Sequence, residues 1–431
     1  MKRFLKKILQ KTLFILARTV LNKYQPKVVG ITGSIGKSSA KEAVFAVLKN
    51  NFRVRQNIKN YNNEIGLPLS IIGEPSPGSS LKGWLKLFLS ALKLIIADSK
   101  NYPEILILEM GIDRPGDMDY LTNLAPVDIG IITNIGPVHL EFFKTLERVA
   151  KEKSALVTKL KPGGWGALNA DNKQVISLKN SVNGRFLTYG FSAAAMVRAL
   201  EINLSYKREQ ISGLSFKLSY NGAVVPVFLP NVLADHLVYA ALAAACVAII
   251  LEINLIDIAN NLQDFVPPPG RMHLLLGANG SQLIDDTYNA SPEATVAAIK
   301  VLGKIDPPAG GPGAKIAVLG DMLELGDYEK RGHEEVGRAI IDNKIDQLVI
   351  VGERAKIIGR TAGDAGLKNI KNFDSSIEAG DYLLQQVKPG DLLLIKGSQG
   401  MRMERAVKIL LAQPELAPSL LVRQDEAWLR K

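Results

Sequence analysis

The chain has a single cysteine, Cys246, in 431 residues. A lone thiol excludes an internal disulfide framework and fits a protein kept in a reducing cytoplasm. It lies in the run Ala241-Leu242-Ala243-Ala244-Ala245-Cys246-Val247-Ala248, which predicts a buried, inert side chain. No stretch approaches the ~20 apolar residues that span a bilayer. Residues 13–17 are too short an apolar core for a secretory leader and have no small-residue cleavage site behind them, so none is expected. Internal repeats and long low-complexity tracts are also missing. With 47% hydrophobic and 22% charged residues, the composition is that of a folded chain, and the length is enough for two to four domains. Acidic residues are in deficit, 42 against 53 lysines and arginines, for a net charge of +11.

That excess calls for an anionic partner, and its distribution suggests which one. Lys2, Arg3, Lys6, Lys7, Lys11 and Arg18 interleave with Phe4, Leu5, Ile8, Leu9, Leu13, Phe14, Leu16 and Leu21. A second such segment covers residues 81–96, with Lys82, Lys86 and Lys93 among leucines, Trp84 and Phe88. Both read as basic amphipathic helices suited to a lipid headgroup boundary. They predict peripheral membrane contact through residues 1–22 and 81–96; the competing reading makes these stripes core or a dimer contact. Nucleic acid is not an expected partner, because the charge is not interleaved with exposed aromatics and no nucleic-acid module is recognisable.

The densest chemical signal is Val28-Val29-Gly30-Ile31-Thr32-Gly33-Ser34-Ile35-Gly36-Lys37-Ser38-Ser39. An apolar strand enters a glycine turn, and a helix follows, with residues 41–48 its clearest part. That order makes a phosphate cradle, in which Gly33, Ser34, Gly36 and Ser39 line the backbone turn. Lys37 reaches the terminal phosphates and Ser38 holds Mg²⁺. The strict P-loop spacing is not met, since Ile31, not a glycine, sits five residues before Gly36.

Residues 28–31, 105–109 and 129–133 read as buried strands of a parallel sheet, each followed by a polar loop at its C-terminal end, where open α/β sheets bind ligands. Residues near 184–228 alternate like antiparallel strands, with an Asn221-Gly222 turn. Val266-Pro267-Pro268-Pro269-Gly270 reads as a linker. Beyond it, strands at 282–285, 315–319, 347–351 and 391–395 alternate with helices. The fold class is therefore α/β, with a parallel sheet carrying the glycine loop before the linker and a second αβ pattern beyond it. The expected boundaries are 1–26 for the basic N-terminal helix, 27–268 for the central domain and 269–431 for the last.

Several clusters follow the loop in fixed order. They are Asn60-Tyr61-Asn62-Asn63-Glu64-Ile65-Gly66-Leu67-Pro68, Glu109-Met110-Gly111, and Thr133-Asn134-Ile135-Gly136-Pro137-Val138-His139. Then come Lys153, Asn169-Ala170-Asp171, Pro269-Gly270-Arg271, Asp285-Asp286-Thr287-Tyr288-Asn289-Ala290-Ser291-Pro292, Leu319-Gly320-Asp321 and Lys396-Gly397-Ser398. His333 reads as a helix cap. Asn343-Lys344-Ile345-Asp346 matches a guanine-reading motif by letter but precedes a strand, so it is read as coincidence.

This order resembles the Mur ligase family, the ATP-dependent amide-forming ligases of peptidoglycan synthesis, over roughly residues 28 to 405. Within the family the motifs look most like the branch that adds D-alanyl-D-alanine to a UDP-N-acetylmuramoyl-tripeptide. The resemblance implies a central P-loop ATPase domain with a parallel sheet and a C-terminal Rossmann-like α/β domain, ATP and two Mg²⁺ as cofactors, and a cell-wall precursor and a dipeptide as substrates. It implies Lys37 on the β- and γ-phosphates, and Ser38, Glu109 and His139 as metal ligands. Lys153 aligns with a lysine that some members carry as a carbamate, with Lys151 the competing assignment. Arg271 would reach the γ-phosphate, Asp286 would contact the ribose, and Asn289 belongs to the loop beside it. Lys37, Lys153, His139 and Arg271 form the implied catalytic set.

Three departures stand out. Only 27 residues precede the strand at 28–31, where the family usually has a UDP-sugar domain. Leu237 and Ala240 stand near His236 where asparagines often meet adenine, and Gln399 stands where arginine is common. A different or lipid-linked acceptor, and a non-catalytic nucleotide-binding scaffold, are the rival readings.

Overall fold

The structure, a computed structural model, describes residues 2–57, 61–136, 140–207, 210–305 and 313–429. It divides into two compact units. The first comprises Met1–Ile202, Phe216–Phe228 and Asp235–Phe265, and the second Asn203–Ser215, Leu229–Ala234 and Val266–Lys431.

The first unit is built on β1 (Lys27–Thr32), β2 (Val54–Gln56), β3 (Ile105–Glu109), β4 (Ile129–Ile132), β5 (Trp165–Asn169) and β6 (Arg185–Gly190). They lie in the order β2-β3-β1-β4-β5-β6, every neighbouring pair parallel. β1, β3 and β4 are apolar on both faces because helices cover both sides, as parallel strands require. The sheet continues through β7 (Val197–Lys207), β8 (Gln210–Tyr220) and β9 (Ala223–Pro230). The expected antiparallel region near 184–228 is corrected at its start: β6 pairs parallel with β5 and, at Tyr189 and Gly190, parallel with β7. Asn221 and Gly222, at φ 49° and 80°, form the two-residue link from β8 to β9, as hairpin turns of this class demand.

Four helices matter for the site and the surface: α1 (Lys2–Tyr24), α2 (Lys37–Leu48), α3 (Gly66–Ile72) and α4 (Leu81–Ile96). α2 starts four residues before the apolar pattern does, directly after Gly36. It packs on the helix Asp235–Ile250, whose alanine-rich run is buried almost throughout. Cys246 is fully buried there, and burial pushes its thiol well up, so it is inert.

For α1, the core reading of its apolar stripe holds over much of its length. Leu13, Ala17 and Val20 are fully buried, joining the core beneath the sheet or a smaller cluster with Leu69, Ile72, Leu87 and Ala91 of α3 and α4. Among the described residues no helix is long and apolar enough to cross a membrane.

The second unit carries β10 (His273–Leu276), β11 (Gln282–Asp286), β12 (Lys315–Gly320), β13 (Gln347–Val351), β14 (Ile370–Phe373) and β15 (Leu392–Lys396) in the order β10-β11-β15-β12-β13-β14. Only the β10–β11 pair is antiparallel. Asp286 and Lys396 end the adjacent parallel strands β11 and β15 in register, so the topology delivers these two charges side by side.

Candidate active site

The chain leaves β1 at Thr32 and turns through Gly33-Ser34-Ile35-Gly36 into α2. Gly33 has φ 155°, and a Cβ there would lie 2.0 Å from Thr133 Oγ1, so only glycine fits. The loop is fastened to the end of β4. Ser34 N donates to Asn134 O at 2.7 Å, Thr133 Oγ1 donates to Ile35 O at 2.5 Å, and Ser34 Oγ exchanges hydrogen bonds with the Gly136 backbone. Asn169 Nδ2, from the end of β5, holds Thr133 O at 2.9 Å. Ile31 is buried inside β1, so the turn proper starts two residues later than in the strict motif.

Two lysines converge on this loop. Lys37 Nζ donates to Gly33 O at 2.9 Å, and Lys153 Nζ, from the helix Leu146–Thr158, donates to the same oxygen at 3.0 Å. Lys153 is 2% exposed, whereas Lys151 points to solvent. Burial, and next the positive charge of Lys37, push the Lys153 ammonium down to about 7.

Glu109, at the end of β3, meets the first turn of α2. It is 4% exposed. Ser38 Oγ donates to its Oε2 at 2.9 Å and Asn62 Nδ2 to its Oε1 at 3.1 Å. Asn57 accepts from Glu109 N and spans to Tyr61 O at 2.6 Å, tying the 61–66 turn to the end of β3. Asn62 lies in a motif legible in the sequence; Asn57 is found only through this tertiary contact. Among the described residues no three His, Cys, Asp or Glu side chains cluster as a ready-made metal cage. His139 lies outside the described residues. Ser39 follows Ser38 as a buried residue of the first helical turn.

In the second unit, Arg271 stacks on Tyr288, with the guanidinium 4.2 Å from the ring centroid. Asp286 Oδ2 pairs with Lys396 Nζ at 2.6 Å, its Oδ1 accepts from Met272 N at 3.2 Å, and Lys396 also donates to Asn289 O at 2.9 Å. These bonds leave carboxylate lone pairs on Asp286 for a further donor. Asp285 is fully buried, which raises its carboxyl to about 6 although Gly270 N, Thr287 N and Thr287 Oγ1 all donate to it. Arg423, unmarked by any sequence motif, donates to Thr287 O at 2.5 Å, Tyr288 O at 3.1 Å and Glu404 Oε2 at 2.8 Å.

His333 is structural. Its Nε2 accepts from Met322 N at 3.2 Å, so Nδ1 carries the proton and donates to Glu329 O at 2.7 Å. Leu237 and Ala240 are buried on the helix Asp235–Ile250 and offer no polar atom to a base. Gln399 is exposed, while Ser398 Oγ accepts from Leu323 N at 2.8 Å.

Known proteins share this layout. The Mur ligase middle domain matches residues 89–248, and the glutamate ligase domain of Mur ligases matches residues 270–399. The chain is 32% identical over 404 residues to the UDP-N-acetylmuramoyl-tripeptide–D-alanyl-D-alanine ligase of Bacillus subtilis, covering 93% of this chain and 79% of that one. It is 28% identical over 397 residues to the enzyme of that name from Escherichia coli, covering 92% and 79%. MurF from Acinetobacter baumannii superposes with TM-score 0.76 at 25% identity, covering 92% of this chain and 79% of that one. The ADP complex of MurF ligase from Thermotoga maritima gives 0.70 at 30% identity, covering 93% and 83%. With its phosphate-type loop, its two sheets and these relatives, the chain belongs to the Mur ligase family of ATP-dependent amide-forming ligases.

Proposed function

We propose that this chain adds D-alanyl-D-alanine to a UDP-N-acetylmuramoyl-tripeptide-like acceptor, driven by ATP. One observation carries the reading. The loop with two lysines on Gly33 O lies beside the Ser38–Glu109 pair, in a chain 32% identical over 93% of its length to a ligase of that name.

A carboxylate is a poor acyl donor at neutral pH. Its oxygen attacks the γ-phosphorus of ATP, the bond to the β-phosphate oxygen breaks, and ADP leaves. The dipeptide amine then attacks the acyl carbon of the resulting acyl phosphate. Inorganic phosphate departs with its electron pair, and the ammonium loses a proton as the amide forms. Charge accumulates on phosphoryl oxygens throughout, so fixed cations are the main catalysts. Lys37 takes the β- and γ-phosphates, the turn from Gly33 to Gly36 presents its N–H groups, and Arg271 adds a planar cation whose orientation Tyr288 holds. Asp286 and Asn289 are assigned to the ribose and the loop beside it.

The donor set near the loop suits Mg²⁺: a hydroxyl and a carboxylate, both hard oxygen ligands, beside the phosphate position. Ser38 and Glu109 would hold the ion, Asn62 would orient Glu109, and His139 completes the proposed ligands. Bound there, the metal would neutralise charge on the phosphates. With its ammonium pushed down to about 7, Lys153 is substantially a free amine at neutral pH, the form that attacks carbon dioxide. The new C–N bond gives a carbamate, and the nitrogen's proton leaves to solvent. That would reverse the charge, and the carbamate would offer oxygens to a second Mg²⁺.

The domain division proposed is 27–268 and 269–431, with 1–26 ahead of it. The enzyme is placed on the cytoplasmic side of the membrane, in peripheral contact with it. The test is ADP release by the purified chain with ATP, Mg²⁺, UDP-N-acetylmuramoyl-tripeptide and D-alanyl-D-alanine. Release that needs both substrates and is abolished by Lys37→Ala supports the reading. Release unaffected by either substrate rejects it.

A further inference from the structure

The helix α4 carries a row of large aliphatic side chains outward. Leu81, Leu85, Leu89, Leu92 and Ile96 are 86%, 61%, 58%, 45% and 81% exposed. At about 100° per residue these five positions fall within an arc of about 80°, so they form one continuous row along the helix. The helix has a different anchoring face: Leu87 and Ala91 are its buried residues, packed with Leu13, Leu69 and Ile72. A row this long, on a helix already held by its other side, is not spare core.

The flanks of the row differ. Lys82, Lys86 and Lys93 follow one edge, all exposed. Trp84 and Phe88 follow the other, half-buried, with ring centroids 6.2 Å apart. Trp84 Nε1 donates to Gly78 O at 3.1 Å, which fixes the indole at the start of the helix. Neither α4 nor α1, which packs beside it, contains a single Asp or Glu. α1 adds the exposed Lys6, Lys7 and Lys11 and the exposed Ile8 and Ile15. Two acids beside these helices pair with α1, Glu64 with Lys6 at 3.3 Å and Asp98 with Lys23 at 3.0 Å.

We infer that the leucine row of α4 is a docking surface for an anionic lipid bilayer, into whose headgroup boundary the row inserts while the lysines meet lipid phosphates. An apolar row with a basic edge and an aromatic edge matches that interface in all three respects. A second copy docked through the same row would offer those lysines no acid, since neither α1 nor α4 carries one. The sequence pattern gave α1 and α4 equal standing. The packing separates them: α1 spends much of its apolar face on the core, and α4 keeps its row. This inference rests on the membrane-side placement proposed for the ligase, and vesicle binding tests it separately from ligase activity.

The experiment is co-sedimentation of the full chain with phosphatidylcholine vesicles, with and without phosphatidylglycerol. The wild-type chain is expected to pellet with the anionic vesicles, more weakly with the neutral ones, and to be partly released by high salt. The double variant Leu85→Glu/Leu89→Glu should bind anionic vesicles about tenfold or more weakly. Its thermal midpoint should be unchanged, since both side chains are exposed. Replacing Lys82, Lys86 and Lys93 by Gln should weaken binding by a similar factor and remove the preference for phosphatidylglycerol. A wild-type chain that ignores anionic vesicles overturns the inference, as does a leucine double variant that pellets like wild type. A wild-type dimer by light scattering that the double variant converts to monomer, with no vesicle binding by either, assigns the row to a second copy instead.

Discussion

Lys37 and Lys153 donate to the same backbone oxygen, Gly33 O, at 2.9 and 3.0 Å, from helices far apart in sequence. Two ammonium groups on one carbonyl repel each other, and Lys153 has almost no water to screen it. The arrangement is suited to a polyanion that both cations can share, and it leaves Lys153 readily deprotonated in its absence.

Stability should record that strain. The Lys153 ammonium falls from an ordinary 10.5 to about 7, so between those values the unfolded chain binds more protons than the folded one. The group's contribution to stability is therefore full above pH 10.5, is lost as pH falls to about 7, and is flat below. In buffer freed of carbon dioxide, the wild-type chain should gain about 2 kcal/mol over Lys153→Met between pH 7 and pH 9 by urea unfolding. Added bicarbonate should change the wild-type curve and leave the variant's alone. Identical pH profiles would remove Lys153 from this account.

Glu109 and its two donors predict a graded metal response. Glu109→Gln should raise the Mg²⁺ concentration for half-maximal ADP release by about 100-fold or more, and Asn62→Ala by about tenfold, as expected of a ligand and of its orienting partner. A Mg²⁺ titration of each variant checks the order. Equal effects from both would mean that Asn62 does more than orient.

The strands that sequence reading placed best are β3 and β13, continuous apolar runs buried on both faces. β2, three half-buried residues at a sheet edge, has too little pattern to read. α2 begins at Lys37 although its apolar periodicity begins later, because Gly36 sets the start. Glu109, Lys37 and Lys153 were legible as motif residues. Asn57 was not, since its role is a contact across 52 positions. The amphipathic pattern of α1 gave a face but not what covers it, and tertiary packing decided that.

Arg423 was equally invisible, and it should matter. It fastens Thr287 and Tyr288, and so the ring under Arg271, while satisfying Glu404, which is 1% exposed. Arg423→Met leaves Glu404 with Arg402 as its remaining cation at 2.6 Å. A loss of about 3 kcal/mol in urea unfolding is expected, with a raised KM for ATP. Arg423→Lys should recover only part of both, because a point charge cannot serve two carbonyls and a carboxylate in one plane.

His273 sets an acid limit. It is 4% exposed with Nδ1 unpartnered, and burial lowers its imidazolium to about 4 from 6.5. Its contribution is present above pH 6.5 and is lost as pH falls to about 4, about 3 kcal/mol in all. His273→Phe should flatten that part of the pH–stability curve measured by denaturant unfolding. A slope between pH 6.5 and pH 4 unchanged by the substitution would assign the acid sensitivity to other groups.

The most direct test of the ligase assignment is the mass of the product formed from UDP-N-acetylmuramoyl-tripeptide, D-alanyl-D-alanine, ATP and Mg²⁺. One new species is expected, the acceptor plus the dipeptide less one water, formed with one ADP per amide and absent with Lys37→Ala. Complete recovery of unchanged acceptor, with ATP either intact or hydrolysed, would contradict it.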